Sequence, residues 1–368
     1  MQLRNLGFEW GLLKQTSYEV PVICVGNITI GGTGKTPHTE MLLRMLMPDH
    51  RVAVLSRGYK RKSRGFRLAD SKTPMREIGD EPWQMKQKFP QAIVAVDTNR
   101  RRGIRQLLTA EATRDVDVIL LDDAYQHRYV HPGLNILLTD YHRLITDDAL
   151  LPAGRLREPV SAKERANVVI VTKCPKDLKP MEYRVITKAM NLYPYQQLFF
   201  STIEYSDLQP LFGGDSTVTL SQLSDHHVLL LTGIASPQQM THDLQPLIPQ
   251  LTPLTFSDHH DFKEKDIALI NDTFASLPEP RLIITTEKDA TRLKLAKGLN
   301  EEVRNHLYVL PINVCILQEQ AEVFNQQIID YVHKNSRNSI LVKRKDDHKS
   351  QDSNHSGNRP RTISFRDN

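Results

Sequence analysis

A glycine-rich segment at residues 25–37, VGNITIGGTGKTP, follows an apolar run near the start of the chain. This order is typical of a strand, a phosphate-binding loop and a helix with proline in its first turn. Glycines let consecutive backbone N–H groups face one anion, Lys35 can reach the β- and γ-phosphates, and the Thr36 hydroxyl can bind Mg²⁺. We therefore predict a nucleotide site formed by Thr29, which replaces the usual first glycine, and by Ile30, Gly31, Gly32, Thr33, Gly34, Lys35 and Thr36.

Carboxylates stand at two further points where chemistry could occur. Asp122 and Asp123 directly follow the apolar run at residues 118–121. Acids at a strand end hold Mg²⁺ beside the phosphate loop in nucleotide enzymes, because ligands collect at the carboxyl ends of parallel strands; a solvated turn is the alternative. Asp80, in the segment GDEP, could be a catalytic base on a rigid turn or could cap a helix.

Loops after the predicted strands could supply cations for a phosphate. The loop at residues 151–159 contains two prolines and an Arg-Glu pair. Arg157 could neutralise phosphate while Glu158 helps to hold a metal, or the two could form a surface salt bridge. Arg57 and Arg100 lie in basic loops after the second and third apolar runs, where solvated charge is the alternative role for most of the basic residues.

Residues 256–262, FSDHHDF, concentrate two histidines and two aspartates after another apolar run. Zinc binding is disfavoured, because neighbouring side chains on an extended segment cannot all face one ion. A His–Asp pair that assists proton transfer and a polar turn both remain open. The segment TTEKDA at residues 285–290 favours a helix cap over a cleft position. The GTP-specific pattern Asn/Thr-Lys-x-Asp is not matched at residues 172–177, where the aspartate comes two residues late, which favours ATP.

Two sets of short apolar runs alternate with helix-like segments, the first before residue 205 and the second after residue 226. This pattern predicts an α/β fold, with a P-loop-containing parallel-sheet lobe, a second smaller α/β lobe and a cleft between them. We assign residues 1–205 to the nucleotide-binding lobe, 206–226 to a linker, 227–333 to the second lobe and 334–368 to a disordered basic tail.

The 368 residues have an ordinary composition for a soluble protein, 39% apolar and 25% charged. The net charge of +5 comes entirely from residues 334–368, which carry nine Lys or Arg and four Asp. Because the remainder is neutral, no nucleic-acid partner is expected, although the tail could be attracted to anionic lipid headgroups. Three distant cysteines suggest neither a disulfide framework nor a metal cluster. Residues 3–13 could form a short amphipathic element that packs on the domain or contacts a membrane surface.

Taken together and in order, the motifs resemble those of the tetraacyldisaccharide 4′-kinases of lipid A synthesis. The resemblance extends from about residue 4 to about residue 333 and is carried by VGN at 25–27, GGTGKTP at 31–37, SRGY at 56–59, GDEP at 79–82, LDD with QH at 121–127, LPAG with LREP at 151–159, DHH at 258–260 and TEKD at 286–289. Seven or more ordered motifs are far more specific than any one of them.

The resemblance implies an ATP- and Mg²⁺-dependent kinase that phosphorylates the 4′-hydroxyl of a tetraacylated disaccharide 1-phosphate. It places the protein peripherally at the cytoplasmic face of the bacterial inner membrane and implies no protein partner. Asp80 would take the proton of the sugar hydroxyl, and His259, chosen over His260, would tune it. The implied catalytic set is Asp80, His259, Asp122, Asp123, Glu158 and Lys35. The implied metal ligands are Thr36, Asp122 and Glu158, and the implied substrate contacts are Arg57, Tyr59, Arg100, Gln126 and Arg157.

This chain departs from the family pattern in two places. Family members commonly begin with a hydrophobic membrane segment, whereas this chain begins close to the phosphate loop, so we expect peripheral docking or a shortened start. Ala124 replaces the glycine of the usual Asp-Asp-Gly-Phe-Gln, so the turn must be accessible to a residue with a β-carbon. Two other hypotheses are a metallochaperone-type GTPase that binds a protein partner, and a family member that binds its ligands without catalysis.

Overall fold

The computed structural model describes residues 2–214 and 216–336. Its strands are β1 Val22–Gly26, β2 Val52–Ser56, β3 Arg67–Leu68, β4 Ile93–Val96, β5 Val118–Asp122, β6 Leu134–Asp140, β7 Val168–Thr172, β8 Gln197–Tyr205, β9 Gln209–Pro210, β10 His227–Thr232, β11 Leu251–Thr255, β12 Arg281–Thr286, β13 Leu307–Leu310 and β14 Ile312–Ile316. Its α-helices are α1 Gln2–Glu9, α2 Lys35–Leu46, α3 Met75–Ile78, α4 Asp80–Lys88, α5 Arg100–Thr109, α6 Pro180–Met190, α7 Pro237–Leu244, α8 Glu264–Ala275, α9 Glu287–Leu293, α10 Glu301–Asn305 and α11 Ala321–Asn335. In these two ranges, no helix combines the length and the apolar character needed to cross a membrane.

Among the described residues, nine strands form the larger sheet, in the order β14-β8-β7-β6-β1-β5-β2-β4-β3. The seven central strands run parallel, whereas β3 and β14 pair antiparallel at the edges. Every residue of β1, β2, β5 and β7 is buried, which explains their continuous apolar sequences: helices cover both faces of the sheet.

The two faces of the larger sheet each carry an apolar core. Val22 and Cys24 of β1 belong to one core, while Ile23 and Val25 belong to the other, as the two-residue period of a strand requires. The first core receives side chains from α5 and α6, and the second receives them from α2, α4 and α11. Packing on both sides therefore fixes the strand ends that carry the phosphate loop.

In the described part of the chain, the smaller sheet has five strands in the order β11-β10-β12-β13-β9, with β9 antiparallel to its neighbour. Its faces also carry separate cores, with Leu229 and Leu231 of β10 on one side and Val228 and Leu230 on the other. The predicted fold class, a parallel P-loop lobe with a smaller α/β lobe, is confirmed.

The chain returns to the larger sheet near its end. β14 pairs with β8, and the ring of Phe324 in α11 packs edge-on against Phe199 of β8, with centroids 5.2 Å apart. The predicted second-lobe range 227–333 therefore includes a strand and a helix that the structure places on the first lobe, and the predicted linker 206–226 includes β9 of the smaller sheet. Apolar periodicity cannot show which sheet a strand joins. Residues 334 and 335 belong to α11, and the rest of the predicted tail from residue 337 lies outside the described residues.

The carboxyl ends of the central strands meet at one edge of the larger sheet. Val25 of β1 is in register with Asp122 of β5, and Ser56 of β2 is in register with Val96 of β4. The phosphate loop, the two aspartates and the basic loops therefore lie together, as parallel topology predicts.

Candidate active site

The phosphate-binding segment has the backbone that its sequence predicts. α2 begins at Lys35, directly after Gly34, whose φ of 83° is left-handed. Asn27 Nδ2 donates to Thr33 Oγ1 at 2.8 Å and so connects the two ends of the loop. His38 Nδ1 lies 2.7 Å from the Gly34 carbonyl oxygen. The free N–H groups at the start of α2 are thus presented where an anion would bind.

Asp122 is the last residue of β5 and is buried. Its carboxylate accepts hydrogen bonds from Ser56 Oγ at 3.3 Å and Thr39 Oγ1 at 3.4 Å. Burial, together with the nearby carboxylates of Glu81 and Asp123, raises the pKa of Asp122 to about 7. A buried carboxylate whose charge is poorly offset by the protein suits a divalent cation.

Asp123 has the opposite environment. Lys35 Nζ lies 3.8 Å from Asp123 Oδ1, and Arg157 Nη2 donates to the same oxygen at 3.3 Å. Burial opposes ionisation, but Lys35 and Arg157 lower the pKa of Asp123. Asp123 takes the left-handed conformation of the turn, with φ of 46°, so Ala124 avoids a positive φ, as the sequence requires. The solvated-turn interpretation of this acidic pair is therefore wrong.

The loop at residues 151–159 lies against the phosphate loop. Ile30 N donates to the Arg155 carbonyl at 2.8 Å, and Arg157 N donates to the Ile28 carbonyl at 2.7 Å. The Arg157 guanidinium also donates to the backbone and side-chain oxygens of Asn27. This loop therefore brings Arg157 to the phosphate loop, as predicted.

Glu158 points to different partners from those of Arg157, so the two do not form a surface salt bridge. Glu158 is 1% exposed, and its Oε2 accepts from Arg165 Nη2 at 2.7 Å and from Asn5 Nδ2 at 3.3 Å. Its Oε1 is buried without a hydrogen-bond partner among the described residues. That oxygen has acceptor capacity for a ligand.

The residues assigned to substrate contacts fall into two groups. Arg100 is buried and donates to the carbonyls of Asp97 at 2.8 Å and Asp122 at 3.3 Å. Gln126 Nε2 donates to the Asn27 carbonyl at 2.6 Å, so Arg100 and Gln126, like Arg157, brace the loops around the phosphate site. The exposed members are Arg57 and Tyr59.

Asp80 is the first residue of α4, one residue after the N-cap position at Gly79, and its Oδ1 accepts a hydrogen bond from Glu81 N at 3.0 Å in the first turn. His259 Nδ1 lies 2.7 Å from Asp80 Oδ2, and Arg292 Nη2 donates to the same oxygen. Burial opposes ionisation, but His259 and Arg292 hold the pKa of Asp80 well below its ordinary value. The structure brings His259 to Asp80, whereas His260 pairs with Asp266 at 2.9 Å.

Glu81 connects the two groups of charged side chains. Its carboxylate lies 4.0 Å from Lys288 Nζ and interacts electrostatically with both Lys35 and Asp122. Burial, with Asp80 nearby, raises the pKa of Glu81. The phosphate loop and the Asp80–His259 pair therefore share one cleft between the lobes.

The sequence motifs predict no site role for Glu81, Lys288 or Arg292. Lys288 and Arg292 lie one turn apart on α9, after Thr286, whose hydroxyl accepts from Asp289 N at 3.1 Å as the predicted cap. The spacing of four residues between two cations was a usable signal for a shared helix face. It could not show that this face meets Asp80.

Within the described ranges, no group of three or more His, Cys, Asp or Glu side chains is arranged to hold a metal ion by itself. This is compatible with Mg²⁺, which nucleotide enzymes bind through one or two carboxylates together with phosphate oxygens and water.

The family model described as tetraacyldisaccharide-1-P 4′-kinase, LpxK, matches residues 1–333. A tetraacyldisaccharide 4′-kinase of Phocaeicola vulgatus is 57% identical over 339 residues, covering 92% of this chain and 93% of the relative. One of Bacteroides thetaiotaomicron is 54% identical over 357 residues, covering 95% of this chain and 94% of the relative. The crystal structure of the "apo" form of LpxK from Aquifex aeolicus in complex with ATP has a TM-score of 0.68 and 28% identity, covering 90% of this chain and 94% of that chain.

These matches extend over the motifs that carried the sequence resemblance, and they do not favour the GTPase alternative. The predicted family is confirmed: the chain belongs to the tetraacyldisaccharide-1-phosphate 4′-kinases.

Proposed function

We propose that this chain transfers the γ-phosphate of ATP to the 4′-hydroxyl of a tetraacyldisaccharide 1-phosphate, a lipid A precursor. The observation that carries the proposal is the Asp80–His259 pair in one cleft with Lys35 and Asp122. The acceptor oxygen bonds to the γ-phosphorus, the bond from that phosphorus to the β–γ bridging oxygen breaks, and ADP leaves. The hydroxyl proton passes to Asp80.

Residues 29–36 are the proposed nucleotide site. Gly31 has a φ of 117° with open space where a β-carbon would stand, and the N-terminus of α2 adds positive potential. Lys35 would contact the phosphates. Mg²⁺, when bound, offsets phosphate charge, and Thr36, Asp122 and Glu158 are its proposed ligands. The poorly compensated carboxylate of Asp122 and the unpartnered Oε1 of Glu158 fit such an ion.

Asp80 is the proposed base. Phosphoryl transfer through a loose transition state requires mainly positioning and charge neutralisation, so a weakly basic carboxylate suffices. His259 would orient Asp80 through its Nδ1 contact. On the acceptor side we propose Arg57 and Tyr59, since the Tyr59 ring lies 5.3 Å from that of His259. Gln126 and Arg157 are proposed as further acceptor contacts, whereas the buried Arg100 is proposed to act through the loops that it braces.

A peripheral position at the cytoplasmic face of the bacterial inner membrane is proposed from α1 and the residues that directly follow it. Leu6, Trp10 and Leu12 are 37%, 71% and 74% exposed, which is typical of a surface that contacts lipid. Arg128 holds this segment on the first lobe, where it donates to the Asn5 carbonyl at 3.1 Å and to Glu9 at 3.2 Å. An acylated acceptor would reach the cleft from this surface.

The proposal is tested by incubating the full chain with ATP, Mg²⁺ and detergent-solubilised tetraacyldisaccharide 1-phosphate. We expect a product with one added phosphate at the 4′ position. GTP hydrolysis without acceptor phosphorylation would instead support the GTPase hypothesis. Nucleotide binding with neither reaction would support a member that binds its ligands without catalysis.

Asp80→Asn tests the base. We expect kcat to fall by about 10²–10⁴-fold, because the proton acceptor is lost, while KM for ATP changes little. Asp261→Asn is a matched control, since Asp261 is exposed in the same histidine-rich segment. A normal kcat for Asp80→Asn would remove Asp80 from this role.

A further inference from the structure

Arg292 joins both members of the Asp80–His259 pair. Its side chain is 5% exposed, and its Nη2 donates to Asp80 Oδ2 and lies 3.1 Å from His259 Nδ1. A buried guanidinium beside a carboxylate stabilises the ionised carboxylate strongly, because little water screens the pair. In the described part of the second lobe, Arg292 is thus the arginine or lysine nearest to Asp80 Oδ2.

Arg292 is itself held rigidly. Its Nη1 donates to Asp289 Oδ1 at 3.3 Å, and Asp289 is fully buried. Asp289 Oδ2 accepts from Gly233 N at 2.8 Å and from Thr286 Oγ1 at 2.7 Å. These bonds anchor the guanidinium to the residue that follows β10 and to the last residue of β12, so the smaller lobe fixes where the positive charge meets Asp80.

Lys288 acts on the other side of the imidazole. Its Nζ lies 3.1 Å from His259 Nε2 and donates to Asp258 Oδ1 at 2.9 Å. An ammonium can only donate hydrogen bonds, so a bond from Lys288 requires Nε2 to accept, and the ring proton then lies on Nδ1, 2.7 Å from Asp80 Oδ2. Arg292 Nη2 cannot accept either, so its contact with Nδ1 is one between two donors that share the same Asp80 oxygen. Asp258 keeps Lys288 at this position.

Resting on the proposed role of Asp80 as base, we infer that Lys288 and Arg292 form a cationic clamp that positions the Asp80–His259 pair for proton transfer. Arg292 keeps Asp80 in its ionised, proton-accepting form, and Lys288 selects the His259 tautomer that bonds to it. Both are positioning residues, since they act through Asp80 and His259. Lys288 and Arg292 stand four residues apart in α9, so both lie on one face of the helix.

The charges that face Asp80 come from several elements. His259 precedes α8, Arg292 and Lys288 lie on α9, Glu81 follows Asp80 on α4, and Lys35 at the start of α2 interacts with Glu81. Glu81 opposes ionisation of Asp80, whereas the cations favour it. Arg292 is the group in direct contact, so its removal should have the largest effect on the acidic side of the pH profile.

The test measures kcat and KM against pH for Arg292→Met and Arg292→Lys. Loss of the adjacent cation raises the pKa of Asp80, so Arg292→Met should move the acidic limb of the kcat profile to higher pH by about 1 unit or more. It should also lower kcat by about tenfold or more at a pH below the new limb, with KM for ATP unchanged. Arg292→Lys keeps the charge and should restore most of the limb position.

The tautomer is read from the imidazole nitrogens of His259 by ¹⁵N NMR. The wild type should show a proton on Nδ1, and Lys288→Met should shift part of the population to Nε2–H, because the donor to Nε2 is lost. An unchanged tautomer in Lys288→Met would overturn the role of Lys288.

Arg281→Met is the matched control for a purely structural effect. Arg281 pairs with Glu302 at 2.6 Å and donates to the carbonyls of Phe274 and Ala275 at the end of α8 and of Leu277 just after it, within the smaller lobe. It should lower the melting temperature without moving the acidic limb. If Arg292→Met does not fold, Asp289→Asn is used instead. This substitution weakens the anchor of the guanidinium but keeps the charge of Arg292, and it should lower kcat.

The outcomes separate the clamp from the base. A normal acidic limb and normal kcat in Arg292→Met, or lost stability with an unmoved limb, would overturn the clamp. A normal kcat in Asp80→Asn would overturn the proposed base itself. Reduced kcat in Asp80→Asn together with a shifted limb in Arg292→Met supports both.

Discussion

Asp80 and Asp122 are both largely buried carboxylates, yet their surroundings shift their pKa values in opposite directions. Asp80 has His259 and Arg292 as partners, which hold its pKa well below the ordinary value. Asp122 is buried near Glu81 and Asp123, and its pKa is raised to about 7. Two acids whose environments differ in this way are suited to different roles, here a base and a ligand for a cation.

His127 provides a pH-dependent test of stability at the residue scale. Burial, followed by the charges of Arg100, Arg4 and Arg101, lowers its pKa to about 4, and its Nε2 has no hydrogen-bond partner among the described residues. In the unfolded chain the pKa is about 6.5. The unfolded state therefore binds more protons between these values, and stability falls as the pH is lowered through this window.

We expect the wild type to lose about 1–3 kcal/mol of unfolding free energy relative to His127→Gln when the pH falls from about 7 to about 4. The measurement is chemical denaturation at several pH values. His142→Gln, at an exposed position, is the control and should follow the wild type. Parallel curves for wild type and His127→Gln would contradict the prediction.

The start of α4 determines where Asp80 lies. Gly79 precedes the helix with φ of 92° and ψ of 162°, a conformation that is essentially restricted to glycine. A β-carbon there would come within 2.8 Å of the Tyr59 carbonyl oxygen. The glycine therefore lets the loop after β2 pack directly against the turn that carries Asp80.

Gly79→Ala should destabilise the fold by about 1–3 kcal/mol and should also lower kcat, since the displaced turn moves Asp80 away from His259. Gly213→Ala is a matched control, because Gly213 has a φ of 112° with nothing within 4 Å of a β-carbon. It should show a comparable strain cost with normal kcat. Equal kcat values for Gly79→Ala and Gly213→Ala would show that catalysis does not depend on the geometry of the turn that carries Asp80.

At the scale of the whole molecule, Lys88 connects the phosphate-loop helix to the smaller lobe. Its Nζ lies 2.7 Å from Glu40 of α2 and 2.5 Å from Glu287 at the start of α9. Glu40 is almost fully buried, and burial raises its pKa despite the ion pair. Lys88 is the last residue of α4, the helix that begins with Asp80, and Glu287 begins α9, the helix that carries Lys288 and Arg292. The contact between Lys88 and Glu287 therefore joins the two helices that form the Asp80 site.

Lys88→Met should lower the unfolding free energy by about 1–3 kcal/mol, because it removes the nearest cation from the buried carboxylate of Glu40, which keeps only Gln84 and the more distant Arg44. In the Glu40→Gln background the same substitution should cost much less. Urea denaturation of the four proteins in this double-mutant cycle measures the coupling. Additive losses would show that Lys88 and Glu40 are not coupled.

The local patterns predicted the strands, the phosphate loop and the left-handed turn constraint at Ala124, because each depends on neighbouring residues. They misplaced β14 and α11, since a half-buried strand has the same periodicity on either sheet. They also could not decide whether Asp80 caps a helix or acts as a catalytic base. Gly79 occupies the N-cap position, and Asp80 stands one residue later, where its carboxylate contacts both Glu81 N and His259.

By itself the sequence determined the family and identified the residues that follow the parallel strands at their carboxyl ends. Ordered motifs and the succession of strands and loops can be recognised in short segments of the chain. Only the tertiary structure decided which charges meet in the cleft. Asp80 is 179 residues from His259 and 212 from Arg292, and these partners come from the other lobe. Helical spacing shows that Lys288 and Arg292 share a face, but packing of the two lobes decides that this face meets a carboxylate.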